Sequence, residues 1–199
     1  MMAFRLSGLF ALLLAVAVAT AAAPSTPAPT AAVAAPAFVA DPAHSSLSFS
    51  GTQAGAKFTG VFKKFTARVA LDPAAPAAGR IEVSIDTNSV DTKDAERDGN
   101  IKGADFFDVA RHPTASYVTK SITRTAKGFA AIGTLTLRGV SRDVPLEFQF
   151  AKTAAGASLT GSASLKRLDF GVGQGEWKST EWVGDEVRVE FSLDLKPAP

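Results

Sequence analysis

The chain has 199 residues, 46% of them hydrophobic, with 21 Lys and Arg against 19 Asp and Glu, a formal net charge of +2 and no cysteine. Without a thiol there are no disulfides, no thiol catalysis and no lipid attachment through cysteine, so stability must come from packing. A charge this evenly balanced offers no clustered basic excess, so nucleic acid and anionic membrane are not expected as the main partners.

Arg5 is followed by an apolar run, Leu6 to Val18, and then by small residues through Ala23. This is the layout of a secretory signal peptide, expected over residues 1–23 with cleavage near Ala23, and it implies a secreted protein. The run of about 13 residues falls short of the roughly 20 that a membrane span needs, so no integral span is expected after cleavage. Residues 24–37 are Pro, Ala, Thr, Ser and a single Val, a composition that cannot bury a core and predicts a disordered tether. Residues 38–199 are then enough for one domain with one core.

Beyond the tether, apolar residues recur with period two. The sets are Leu47 and Phe49; Phe65, Ala67, Val69 and Leu71; Ile81, Val83 and Ile85; Tyr117 with Val118 to Ile122; Leu135 and Leu137; Leu146, Phe148 and Phe150; Leu159, Gly161, Ala163 and Leu165; and Val187 through Leu195. Turn signals separate them, at Asp72-Pro73 to Gly79, Lys127-Gly128, Gly139 to Pro145, Ala154-Ala155-Gly156 and Gly184-Asp185. About eight half-buried strands joined mostly by short turns predict an all-β fold, either an antiparallel sandwich or an up-and-down barrel. One segment breaks the pattern. Val90 to Val109 predicts a short helical excursion, with Asp91 or Thr92 as cap, Gly99 and Gly103 limiting its length, and Phe106-Phe107 as an apolar plug.

Candidate chemistry is sparse. The stretch Gly171-Val172-Gly173-Gln174-Gly175 lacks the spacing and the following helix of a dinucleotide loop and predicts part of a long hairpin carrying Trp177 and Trp182. His44 and His112 have no metal-ligand spacing and predict structural hydrogen bonds, so no metal or cofactor is expected. No nucleophile elbow is present. Carboxylates cluster at Asp91, Asp94, Glu96 and Asp98 and again at Glu176, Glu181, Asp185 and Glu186. Lys93, Arg97 and Lys102 interleave with the first group, which predicts surface ion pairs rather than a catalytic dyad.

Four separated motifs resemble the YceI-like family of periplasmic polyisoprenoid-binding proteins. They are Asp41-Pro42-Ala43-His44-Ser45; Arg97-Asp98 with Asp105-Phe106-Phe107-Asp108 and His112-Pro113; Gly133 through Arg142; and Phe170-Gly171-Val172-Gly173 through Val187. The resemblance runs from about Val39 to Leu195. It implies a lipocalin-like, antiparallel, eight-stranded β-barrel with an apolar lumen that holds an isoprenoid chain, such as a polyprenyl phosphate or a quinone tail, or another long amphiphile. It implies no catalysis. Two departures, the short Thr52–Ala56 connection and Tyr117 where the family usually has phenylalanine, are expected to shorten or polarise that lumen.

On this reading the inward candidates by alternation are Phe49, Phe65, Phe148, Phe150 and Phe191. Phe58, Phe62, Phe106, Phe107 and Tyr117 are end plugs, and Phe170, Trp177 and Trp182 come from the last hairpin. Burying a dozen methylenes would contribute roughly 10 kcal/mol before ordering costs, with tolerance for chain length. Two other readings are an adaptor or stress-response interaction domain whose lumen is filled by its own side chains, and an enzyme using Asp105 or Glu176. Homodimerisation is left open.

Overall fold

The computed structural model describes residues 35–199. The signal segment and nearly all of the tether lie outside the described residues. Eleven strand segments form one antiparallel sheet that closes on itself. They are β1 (Ala37–Ala40), β2 (Ser46–Gln53), β3 (Ala56–Phe62), β4 (Phe65–Ala70), β5 (Arg80–Asp86), β6 (Val90–Asp91), β7 (Thr114–Thr125), β8 (Gly128–Leu137), β9 (Val140–Thr153), β10 (Gly156–Lys166) and β11 (Glu186–Pro197), with one helix, α1 (Ala95–Lys102), after β6.

Three pairs of segments are single strands bent once, which reduces eleven to eight. β1 and β2 both pair along β11, Phe38 opposite Pro197 and Phe49 opposite Val189. β3 pairs with β2 and its continuation β4 with β1. β5 pairs with β4 and its continuation β6 with β3. From there each strand pairs with the next through β11, whose pairing with the first strand closes an eight-stranded up-and-down barrel without a free edge.

The bend between β1 and β2 explains the Asp-Pro-Ala-His motif. Asp41 accepts from the Ala43 backbone N–H at 3.1 Å, from His44 Nδ1 at 2.8 Å and from Lys196 Nζ at 2.7 Å. One carboxylate thus holds the turn and fastens it to β11, and His44 has the structural role expected of it. The β2–β3 turn is Ala54-Gly55, with φ of 48° and 78°, and the β8–β9 turn is Arg138-Gly139, with φ of 50° and 74°. Both are two-residue turns whose positive φ matches the twist of the strands they join.

The excursion is shorter than the segment expected to hold it. Its cap is Asp94 rather than Asp91 or Thr92, because Asp94 Oδ1 accepts from the N–H groups of both Glu96 and Arg97. Gly99 lies inside the helix instead of ending it, and Gly103 closes it by donating to the Asn100 carbonyl. The last hairpin is present, β10 against β11 from Ala157–Leu195 to Lys166–Glu186, with the connection 167–185 folded into 3₁₀ turns at Arg167–Phe170 and Gly175–Lys178.

In an up-and-down barrel alternate connections share an end. One end carries the connections 71–79, 126–127 and 154–155 and is packed solid: Phe129 stacks on Phe148 at 5.4 Å, Phe38 meets Phe150 edge-on at 5.9 Å, and Leu71, Ile122, Ala157 and Leu195 are fully buried there. The other end carries the β2–β3 turn, α1 with residues 103–113, the β8–β9 turn and the connection 167–185. Polar side chains such as Ser48, Ser50, Arg68, Glu82 and Glu190 face outward, the inverse of a membrane barrel whose apolar band faces lipid. Among the described residues no helix is long and apolar enough to cross a membrane.

Candidate binding site

Between the packed end and the α1 end the barrel is not filled. A cavity of about 200 Å³ remains, and its wall is hydrocarbon throughout. Eight strands leave an interior that side chains can just fill or that can hold one ligand, and side-chain size decides which. Here Ala67, Ala115 and Ala163 face the middle of the lumen beside Val83, Val187 and Val189.

Three glycines shape the aromatic part of the wall. A Cβ at Gly60 would lie 2.5 Å from the Phe49 ring, one at Gly133 2.4 Å from the Tyr117 ring, and one at Gly161 2.5 Å from the Phe191 ring. Each glycine therefore lets a ring lie flat against the sheet. The space beside Gly161 is taken by Phe191 and Phe148.

Of the aromatic residues expected in the lumen, Phe49, Phe58, Phe62, Phe65, Phe106, Phe107, Tyr117 and Phe191 do line the cavity. Phe58, Phe49, Phe62 and Phe107 form a continuous chain of rings with centroids 5.4–6.2 Å apart. The other five lie elsewhere. Phe148 and Phe150 face inward but belong to the packed end, Phe170 is buried under the last connection, Trp177 rests on Phe106 at 5.5 Å outside the lumen, and Trp182 is 66% exposed. Tyr117 does not polarise the cavity. Its hydroxyl donates to the Val144 carbonyl at 3.1 Å, and burial pushes its pKa up to about 12.

Much of the wall is aliphatic, from Ile81, Ile85, Leu135, Leu146, Leu159, Leu165 and Leu193. These were visible as strand alternation but were not singled out as lining. Arg167 was missed altogether. It continues the inward register of β10 after Leu165, and it is only 3% exposed. Its guanidinium donates to the backbone carbonyls of Val172 at 2.8 Å, Val183 at 2.8 Å, Gly184 at 3.0 Å and Ser179 at 3.3 Å. Burial pushes its pKa below the usual arginine range, and Asp185 opposes the shift. Arg167 thus gathers the last connection over the barrel end and turns its methylenes to the lumen. The same connection is tied to the excursion, where the Asp105 carbonyl accepts from Gly173 and Gln174 N–H at 2.8 Å, and Arg138 donates to the carbonyls of Gly171 and Ala104.

The carboxylates are engaged as surface groups. Asp91 pairs with Lys63 and Lys93, Asp94 with Arg97, and Asp98 accepts from Thr92. Asp105 and Glu176 are exposed. Among the described residues no group of His, Asp and Glu is placed to hold a metal ion.

The YceI-like domain model matches residues 38–195, which is the whole barrel and both closures of its α1 end. The chain belongs to the YceI-like family. A UPF0312 protein of Ectopseudomonas mendocina is 39% identical over 120 residues, covering 57% of this chain and 63% of that relative's length. Burkholderia cenocepacia BcnA, whose crystal structure is solved, is 36% identical with a TM-score of 0.73, over 77% of this chain and 98% of BcnA. A polyisoprenoid binding domain from Saccharophagus degradans is 17% identical with a TM-score of 0.60, over 82% of this chain and 99% of that domain, and shares the fold. In this YceI-like chain the family motifs sit at closures: Asp41 at the strand bend, Asp105 to Asp108 and Phe170 to Gly173 at the lidded end.

Proposed function

We propose that the protein is a periplasmic carrier that holds an isoprenoid chain, or a similar long amphiphile, in the barrel lumen and performs no chemistry on it. The observation that carries this reading is the hydrocarbon-walled cavity of about 200 Å³ left between a solid end and a lidded end. A lumen filled by its own side chains, as an interaction domain would have, would leave no such space. Polyisoprenoid is also the ligand class named for the Saccharophagus domain of the same fold.

An engineered apolar cavity of about 150 Å³ holds the six carbons of benzene. The lumen by the same scale takes about eight carbons, between one and two isoprenoid units. Burying them contributes about 6 kcal/mol, a ceiling equivalent to a Kd in the tens of micromolar. A longer chain gains affinity only by reaching past Phe106 and Phe107 at the lidded end.

Native mass spectrometry on protein purified from the periplasm, with extraction of any bound lipid, tests the reading. A stoichiometric isoprenoid, or binding of added chains that strengthens up to about eight carbons and then levels off, is the expected result. Protein that is empty and binds neither added prenyl nor quinone chains would overturn it.

A further inference from the structure

Phe58, Ile101, Phe106 and Val183 face two cavities at once. Behind them is the apolar lumen. In front is a second hollow of about 140 Å³ at the lidded end, completed by Gln53, Asp94, Glu96, Arg97, Asn100 and Trp177. With the opposite end packed solid, this hollow is where the polar head of a chain seated in the lumen would lie.

Its charges are few and mostly spent. The Arg97 guanidinium lies 4.7 Å over the Phe58 ring and donates to Gln53 Oε1 at 2.8 Å and to Asp94 Oδ2 at 3.2 Å. Asp94 cancels its charge, and Glu96 leaves the hollow net negative, with no lysine in its wall. The start of α1 could otherwise attract a phosphate. Here the Arg97 and Glu96 N–H groups are taken by Asp94 itself, whose carboxyl is held below the usual range by those same bonds. The one cation in the lumen wall, Arg167, is committed to four backbone carbonyls and shows the lumen only its stem. A phosphate needs free cations or free N–H groups, and this doorway supplies neither. It does supply amide groups at Gln53 and Asn100.

We infer that the ligand carries an uncharged, hydrogen-bonding head group, a hydroxyl or carbonyl, and that this doorway selects against a phosphate head. The inference rests on the carrier reading. Among amphiphiles of one chain length it separates alcohols and quinone-like carbonyls from prenyl phosphates.

The test uses two ten-carbon probes, geraniol and geranyl monophosphate. Occupancy is read from the fluorescence of Trp177 in a Trp182→Phe background, since the chain has only these two tryptophans. At low ionic strength the alcohol should bind about tenfold more tightly, and the gap should narrow as salt is added. Asp94→Asn with Glu96→Gln should narrow it as well, because asparagine still caps α1 while the negative charges are gone. Phosphate binding as tight as alcohol, or a ratio indifferent to these substitutions, refutes the inference and leaves the carrier intact. An amine-headed analogue that outcompetes the alcohol refutes it in favour of a cationic head. Failure of all three probes to bind removes the carrier reading and this inference with it.

Discussion

Replacing Ala163 by phenylalanine should empty the protein of ligand without unfolding it. Ala163 sits mid-lumen on β10, opposite Val189 on β11, with its methyl on the cavity wall. The substitution adds one phenyl ring, and a ring needs about the volume of the 150 Å³ cavity that accepts benzene. About three-quarters of the 200 Å³ lumen is then occupied by the protein itself. Six of the roughly eight buried carbons are displaced, a loss of about 5 kcal/mol or more than 10³-fold in Kd. Ala163→Leu adds three carbons and should cost about 2 kcal/mol, some 50-fold. Binding is followed by calorimetry with a prenyl alcohol, and the fold by thermal unfolding. Filling an existing apolar cavity should leave the melting temperature unchanged or raised. A folded Ala163→Phe variant that binds with wild-type affinity would place the ligand outside the lumen.

Arg167→Met should release four carbonyls and raise amide exchange across 171–185 while the barrel strands stay protected; lysine should not rescue it, because one ammonium cannot reproduce the guanidinium fork. Gly161→Ala should destabilise by about 1–3 kcal/mol in urea titrations, since the new methyl would meet Phe191 at 2.5 Å and Phe148 Cβ at 2.7 Å. Asp41 is held below the usual carboxylate range by Lys196 first and then His44, so its stabilisation is present above about pH 4 and lost as pH falls. The stability gap between wild type and Asp41→Asn should therefore narrow steadily as pH falls below 4; a gap as large at pH 2 as at pH 7 refutes the assignment. Tyr117 has its pKa raised from 10.0 to about 12, so its contribution is full below pH 10 and fades as pH rises to 12, a loss absent in Tyr117→Phe.

The all-β fold and its eight strands were legible because alternation reports which face of a strand is inward and short turns separate the sets; sandwich and barrel share that pattern, and the four family motifs chose the barrel. Alternation does not report height along the barrel axis. Phe148 and Phe150 obey the inward register as well as Phe191 does, yet they fill the solid end, where Phe129 lies directly opposite Phe148 on β8 and Phe38 reaches Phe150 from β1. β3 was overlooked for a local reason: inward Ala56 and Gly60 offer little or no apolar side chain and apolar Val61 falls on the outward register, so only Phe58 and Phe62 remain to mark it. Arg167 was hidden by its type. An arginine at a strand end reads as surface, and only the inward register of Leu165 two residues earlier points it into the barrel. The cap of α1 was misplaced by two or three residues because Asp91, Thr92 and Asp94 can all cap, and Thr92 is instead held by Asp98.

The use of Arg167 also bears on how a ligand enters. A buried guanidinium with no carboxylate within salt-bridge distance is an uneconomical fastener, since neutral carbonyls return less of its desolvation cost than an ion pair in good geometry would. What carbonyls offer instead is many partners from one short segment. Four bonds from one side chain define the closed shape of 172–184, while few strand bonds cross it, the bridge of Gln53 with Val183 among them. The segment is consequently well defined when shut and less costly to open than any strand of the barrel. Phe106 and Phe107 come from the excursion that the segment holds down through Asp105. Opening it would release the Asp105 carbonyl and lift Trp177 from Phe106, uncovering that plug with the barrel's own strand hydrogen bonds intact, whereas Phe107 stays stacked on Phe62.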